Sequence, residues 1–87
     1  MLSRKITINN PSGLHMRPAG LFVKAVAPFK SNVEFGIRDK EYNAKSMINV
    51  LSAAVKRGDE IELKIIGEDE QACMDAVVSA IESGLGE

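Results

Sequence analysis

One cysteine, one histidine, one tyrosine, three prolines and no tryptophan occur in 87 residues, and each scarcity removes a class of protein. Cys73 alone cannot close an internal disulfide, and one Cys with one His cannot supply the ligand set of a structural zinc site. Charge of one sign is also lacking: 11 Lys and Arg face 12 Asp and Glu, a formal balance of −1. With no basic run to hold a phosphate backbone and few aromatics to stack on bases, nucleic-acid binding is not expected. No apolar stretch approaches the ~18 residues of a membrane span. Met1-Leu2-Ser3-Arg4-Lys5 opens without the long apolar region of a secretory signal, so membrane insertion is not expected and the cytoplasm is the expected compartment. No Gly-rich, Lys-terminated nucleotide loop is present, and no motif calls for a cofactor.

What remains is a chain with 45% hydrophobic and 26% charged residues, a composition that folds. Its length suits one domain over residues 1–87, burying roughly 60% of the unfolded surface, too thin a body for a large internal cavity. Leu2 to Ile8 alternates around Ile6 and Ile8 and predicts a strand, ended by Asn9-Asn10-Pro11-Ser12-Gly13. From Arg17 to Ala27 the apolar spacing of Pro18, Leu21, Phe22 and Ala25 predicts a helix that Pro28 stops. Val33, Phe35 and Ile37 alternate as a second strand. Arg38-Asp39-Lys40 makes a polar turn, and Glu41 to Ala44 is short enough for an edge strand.

Ser46 carries a hydroxyl suited to cap a short helix through about Ala54, before Arg57-Gly58-Asp59. Ile61, Leu63 and Ile65 alternate with Glu60, Glu62 and Lys64 in the clearest strand of the chain, closed by Gly67. Asp69 is placed to cap a last helix with the stripe Cys73, Ala76, Val77, Ala80 and Ile81, terminated by Gly84. The order β-α-β-β-α-β-α, with one-faced strands and helices, predicts an α+β two-layer domain: an antiparallel sheet with helices on one side and water on the other.

Chemistry concentrates at Gly13-Leu14-His15-Met16-Arg17-Pro18-Ala19-Gly20, which sets the only histidine at a helix entrance. The unpaired N–H groups and the positive helix end there favour an anion. Imidazole is the side chain whose proton equilibrium lies nearest neutral pH, and it can act as a nucleophile toward phosphorus. His15 could thus carry a phosphoryl group without a metal, Arg17 adding a charge-assisted contact. The plainer alternative is that His15 only caps the helix while Arg17 points into water. Met47, Ile48, Val50, Leu51 and Val55 make the second helix apolar on more than one side, more than a thin domain can bury. Val50 and Val55 are expected in the core. Cys73, on a buried stripe, reads as a packing thiol.

Gly13-Leu14-His15-Met16-Arg17-Pro18-Ala19 resembles the G-[LI]-H-x-R-P-A signature of the HPr family, histidine-containing phosphocarriers of the phosphoenolpyruvate:sugar phosphotransferase system. The likeness extends through Asn43-Ala44-Lys45-Ser46 and Gly67-Glu68-Asp69 to Gly84-Leu85-Gly86-Glu87, essentially the whole chain. It implies an open-faced β-sandwich with strand order 1-4-2-3 and three helices on one face. It also implies that His15 receives phosphate at Nδ1 from phosphorylated enzyme I and passes it to IIA domains of sugar permeases, with Arg17 steadying it. Such a chain is a carrier dependent on partner enzymes and not itself an enzyme.

By the same resemblance Ser46 is a target of HPr kinase/phosphorylase, and the modified protein a partner of catabolite control protein; the alternative for Ser46 is a plain cap. Gly20, Lys24, Met47, Ile48 and Leu51 would form the docking patch of a monomer. Met16 stands where the family commonly has alanine, Asn49 and Ala54 where glycine is common, and Gly20 where alanine is common. Two other readings are a regulatory HPr paralogue acting by protein binding without sugar-system phosphotransfer, and a small-molecule regulatory domain of similar architecture.

Overall fold

Alternating and helical periodicities resolve, in a computed structural model describing residues 1–87, into β1 (Leu2–Thr7), α1 (Met16–Val26), β2 (Asn32–Ile37), β3 (Lys40–Asn43), α2 (Met47–Ser52), β4 (Glu60–Ile66) and α3 (Glu70–Glu82). The strands form one antiparallel sheet in the order β1-β4-β2-β3, with the three helices on one face, as the sequence leads one to expect. Because side chains alternate across a strand, the register that sets Phe35 against Leu63 and Val33 against Ile65 puts all four on the helix side. All are buried there, with Ile61. Lys5, Glu34, Glu41 and Glu62 remain half or fully exposed on the other face, where Lys64 pairs with Glu41 at 3.0 Å.

An aromatic ladder ties the layers together. Phe22 of α1 meets Phe35 edge-on at 5.6 Å, and Phe35 stacks on Tyr42 of the edge strand at 5.4 Å, both geometries that aromatic quadrupoles favour. The hairpin joining β2 to β3 turns on Arg38 and Asp39, both at positive φ, as a two-residue turn matching strand twist requires. Arg38 then reaches across: its guanidinium donates to the Ala53 carbonyl and lies 3.3 Å from Asp59, fastening the hairpin to the end of α2.

Several details depart from expectation, among them the buried stripe of α3, which is Cys73, Met74, Val77, Val78 and Ile81, with Ala76 and Ala80 only half-buried. Ile8 lies just past β1, although it is fully buried and exchanges backbone hydrogen bonds with Gly58 and Asp59. The buried stripe of α1 is Pro18, Ala19, Phe22 and Val26, while Leu21 is exposed and Ala25 half-exposed. The helix is rotated so that Leu21 faces the chain's last residues, its Cδ1 within 2.6 Å of where a Cβ on Gly86 would stand. Helix α2 ends at Ser52, because Ala54 has left-handed backbone with φ 51°. Asp69 flanks α3 without capping it. Its carboxylate instead accepts from the N–H groups of Lys30 and Ser31 and from the Ser31 hydroxyl at 2.5–3.0 Å, fixing the α1–β2 loop. These bonds, led by the Ser31 hydroxyl, lower the Asp69 pKa below its ordinary value. Gly84 terminates α3 at φ 93°, as expected.

Candidate functional site

The segment from Asn10 to His15 is held from both sides before any reactive group appears. Asn10, 5% exposed, donates from Nδ2 to the Gly13 carbonyl at 2.7 Å and receives the Gly13 N–H at its own carbonyl at 3.1 Å. Gly13 has φ 60° and packs so tightly on Val55 and Lys56 that a Cβ would overlap the Val55 carbonyl oxygen; only glycine serves there. Leu14 is buried and its N–H donates to the same carbonyl at 2.9 Å. With Leu14 committed inward, the next side chain emerges into solvent.

That side chain is His15, the residue at the entrance to α1. Its backbone is extended and its side chain makes no capping bond. The imidazole is exposed, so the reading of His15 as a mere cap is set aside. Its carbonyl takes the Ala19 N–H at 2.8 Å, Pro18 has no N–H, and the N–H groups of Met16 and Arg17 have no backbone acceptor. Two unpaired donors and the positive end of α1 therefore lie in the two residues after the imidazole. Exposed Met16 adds apolar surface here.

A depression of about 250 Å³ lies beside His15, lined by Ser12, Leu14, Leu51, Ala54, Val55 and Lys56. Leu51 reaches it from α2, joining a site residue predicted on one helix to the histidine of another. Gly20 faces Met47, whose Cε lies 4.0 Å from where a Cβ on Gly20 would stand. Ile48 is 80% exposed, Leu51 is 36% exposed and Met47 is half-buried, whereas Val50 and Val55 are buried, as expected. Lys24 is exposed in the last turn of α1. Ser46 caps α2, its hydroxyl accepting from the Asn49 N–H at 3.3 Å and from Asn49 Nδ2 at 3.2 Å. Arg17 is exposed and takes no part in an ion pair with a carboxylate.

Sequence reasoning missed three contributors. Lys56 reaches the depression from beyond α2, and Ser12 borders it from the turn before His15. Glu87 closes over that turn, accepting from Asn10 Nδ2 and Ser12 N–H at 2.9 Å each and from the Ser12 hydroxyl at 2.6 Å. These bonds, the Ser12 hydroxyl foremost, hold the Glu87 carboxyl below the usual carboxylate range, and the Arg17 charge adds to the effect. No helix is long and apolar enough to cross a membrane.

Residues 2–83 match the family model described as the PTS HPr component phosphorylation site. The phosphocarrier protein HPr of Xylella fastidiosa is 34% identical over 87 residues, covering 100% of this chain and 98% of the relative. The crystal structure of HPr-C-His from Thermoanaerobacter tengcongensis superposes with a TM-score of 0.97 at 39% identity, covering 100% and 98% of the two chains. Crh, the catabolite repression protein of Bacillus subtilis, solved as a dimer with a swapping domain, is similar at TM-score 0.76 and 34% identity, covering 97% of each chain.

Proposed function

The chain belongs to the HPr family of phosphocarrier proteins of the phosphotransferase system, and from that premise we propose that His15 is its phosphoryl acceptor and donor. Phosphorylated enzyme I supplies the group and IIA domains of sugar permeases receive it, in the cytoplasm. The observation that carries this reading is the exposed, uncapped imidazole next to the unpaired N–H groups of Met16 and Arg17.

In the first half-reaction the lone pair of Nδ1, the nitrogen the family resemblance implies, attacks phosphorus. The new P–N bond forms as the bond from phosphorus to its donor breaks and that electron pair stays with the donor. The second half-reaction reverses these roles, with a IIA nucleophile attacking and the imidazole leaving. The phosphoryl group brings about two negative charges, and the two N–H groups, the helix end and the Arg17 guanidinium are proposed to stabilise them. A carrier of this kind needs a partner to align each in-line transfer, and its complexes must dissociate quickly. Gly20, Lys24, Met47, Ile48 and Leu51 form the docking patch: Leu51 borders the depression beside His15, and Gly20 and Met47 join the two helices.

Ser46 is proposed as a regulatory phosphorylation site for an HPr kinase/phosphorylase, with catabolite control protein as partner of the product. Phosphate on a cap residue lies where the first helical turn tolerates charge. Similarity to Crh supports a second reading, a regulatory paralogue that binds proteins without sugar-system transfer. Incubation with phosphoenolpyruvate and enzyme I separates the two. Acid-labile phosphate on this chain, absent from His15→Ala, is expected of the carrier; no transfer favours the regulator. The working state is proposed as a monomer, and sedimentation at micromolar concentration distinguishes it from a swapped dimer.

A further inference from the structure

Residues 84–86 steer one carboxylate onto the turn that presents His15. Gly84, Leu85 and Gly86 all have left-handed backbone, at φ 93°, 49° and 82°, a conformation that burial of the Leu85 side chain maintains in spite of its Cβ. The Leu85 N–H returns to the Ala80 carbonyl and that of Glu87 to Gly84. The run delivers the Glu87 side chain to Ser12 and Asn10, where it receives three hydrogen bonds of 2.6–2.9 Å.

Ser12 also borders the depression beside the imidazole, and its carbonyl accepts the His15 N–H at 3.3 Å. A carboxylate can only accept, so the Ser12 hydroxyl donates its single proton to Glu87. The Ser12 N–H is committed in the same way. With both of its donors spent on Glu87, Ser12 has none to offer a phosphoryl group on His15. The Glu87 carboxylate also feels the Arg17 charge.

We propose that the Glu87 carboxylate is a resident anion on Ser12 that a phosphoryl group on His15 must displace, so that Glu87 shortens the life of the phosphorylated state and keeps the group transferable. This rests on His15 being the acceptor. Phosphate is lost when a water oxygen bonds to phosphorus as the P–N bond breaks. The bonding pair returns to the ring nitrogen, and inorganic phosphate leaves with the water's oxygen.

The test loads the whole chain with phosphoramidate, which transfers its phosphoryl group and releases ammonia, so no partner protein is needed. The half-life of phosphohistidine is followed by phosphorus NMR at neutral pH in the native sequence, Glu87→Gln, Glu87→Ala, Ser12→Ala and Ser12→Ala/Glu87→Ala. Removing the anion is expected to lengthen the half-life roughly two- to tenfold in both Glu87 variants, and by clearly less when Ser12 is already alanine. Glu87→Gln keeps the side-chain length, so agreement between the two Glu87 variants separates charge from packing, and thermal midpoints verify folding. Equal half-lives throughout, or the full gain persisting in the Ser12→Ala background, overturn the inference while His15 stands as acceptor. Failure of both phosphoramidate and enzyme I to label His15 overturns the acceptor reading, and this inference with it.

Discussion

Replacing Ala54 by glycine is expected to stabilise this protein, although it removes a methyl group and adds nothing. Ala54 has φ 51°, where a Cβ crowds the following carbonyl at a cost of roughly 1–2 kcal/mol. Its side chain is exposed, so deleting it sacrifices little apolar burial. Glycine removes the steric term but widens the unfolded ensemble, an opposing effect of roughly 0.4–1 kcal/mol. The net gain is about 0.5–1 kcal/mol, or about 2–8 °C in Tm for a domain this size. Urea titration should show a higher midpoint with an unchanged slope. The same physics gives Gly58→Ala the opposite sign: φ there is 92° and the space for a Cβ is empty, so any loss comes from backbone strain alone. An Ala54→Gly variant with an unchanged or lower midpoint would refute the reasoning.

Three further outcomes follow from the same contacts. Phe35→Ala removes the ring between Phe22 and Tyr42 and should cost about 3–5 kcal/mol, measurable by denaturant titration. Asp69, Asp59, Glu70 and Glu87 all have pKa values lowered by hydrogen bonds. Their folded values lie below their unfolded ones, so their contribution is complete above the ordinary carboxylate range and is lost as pH falls through the folded values. The urea midpoint should therefore fall on acidification below about pH 4, less steeply in Asp69→Asn, where the Ser31 bonds no longer depend on charge. Ile48→Asp, at a site 80% exposed, should leave Tm within a degree or two yet slow phosphoryl transfer from enzyme I at least tenfold, as read by rapid quench.

Strands with one buried face are the most legible part of this sequence, because Ile61, Leu63 and Ile65 leave no choice of register. The histidine at a helix entrance was legible for the same kind of reason, a local one: the Pro18 spacing and the glycine before it fix the geometry within a few residues. The phase of α1 was not. Leu21 and Val26 are equally apolar, and the contact that turns Leu21 outward is with Gly86, 65 positions away. Asp69 misleads similarly, since a cap and a clamp on a distant loop require the same carboxylate. Glu87 and Lys56 join the site only through tertiary folding, and no local pattern announces them; the turn-forming glycines before Glu87 are the one signal that the chain bends back.

Amide chemical shifts on phosphorylation give the most direct test of the central claim, that the start of α1 receives the anion carried by His15. When His15 is phosphorylated, the amide protons of Met16 and Arg17 should move strongly downfield as they take up hydrogen bonds, while those of β3 stay in place. Phosphate bound at His15 with the Met16 and Arg17 amides unmoved would contradict it.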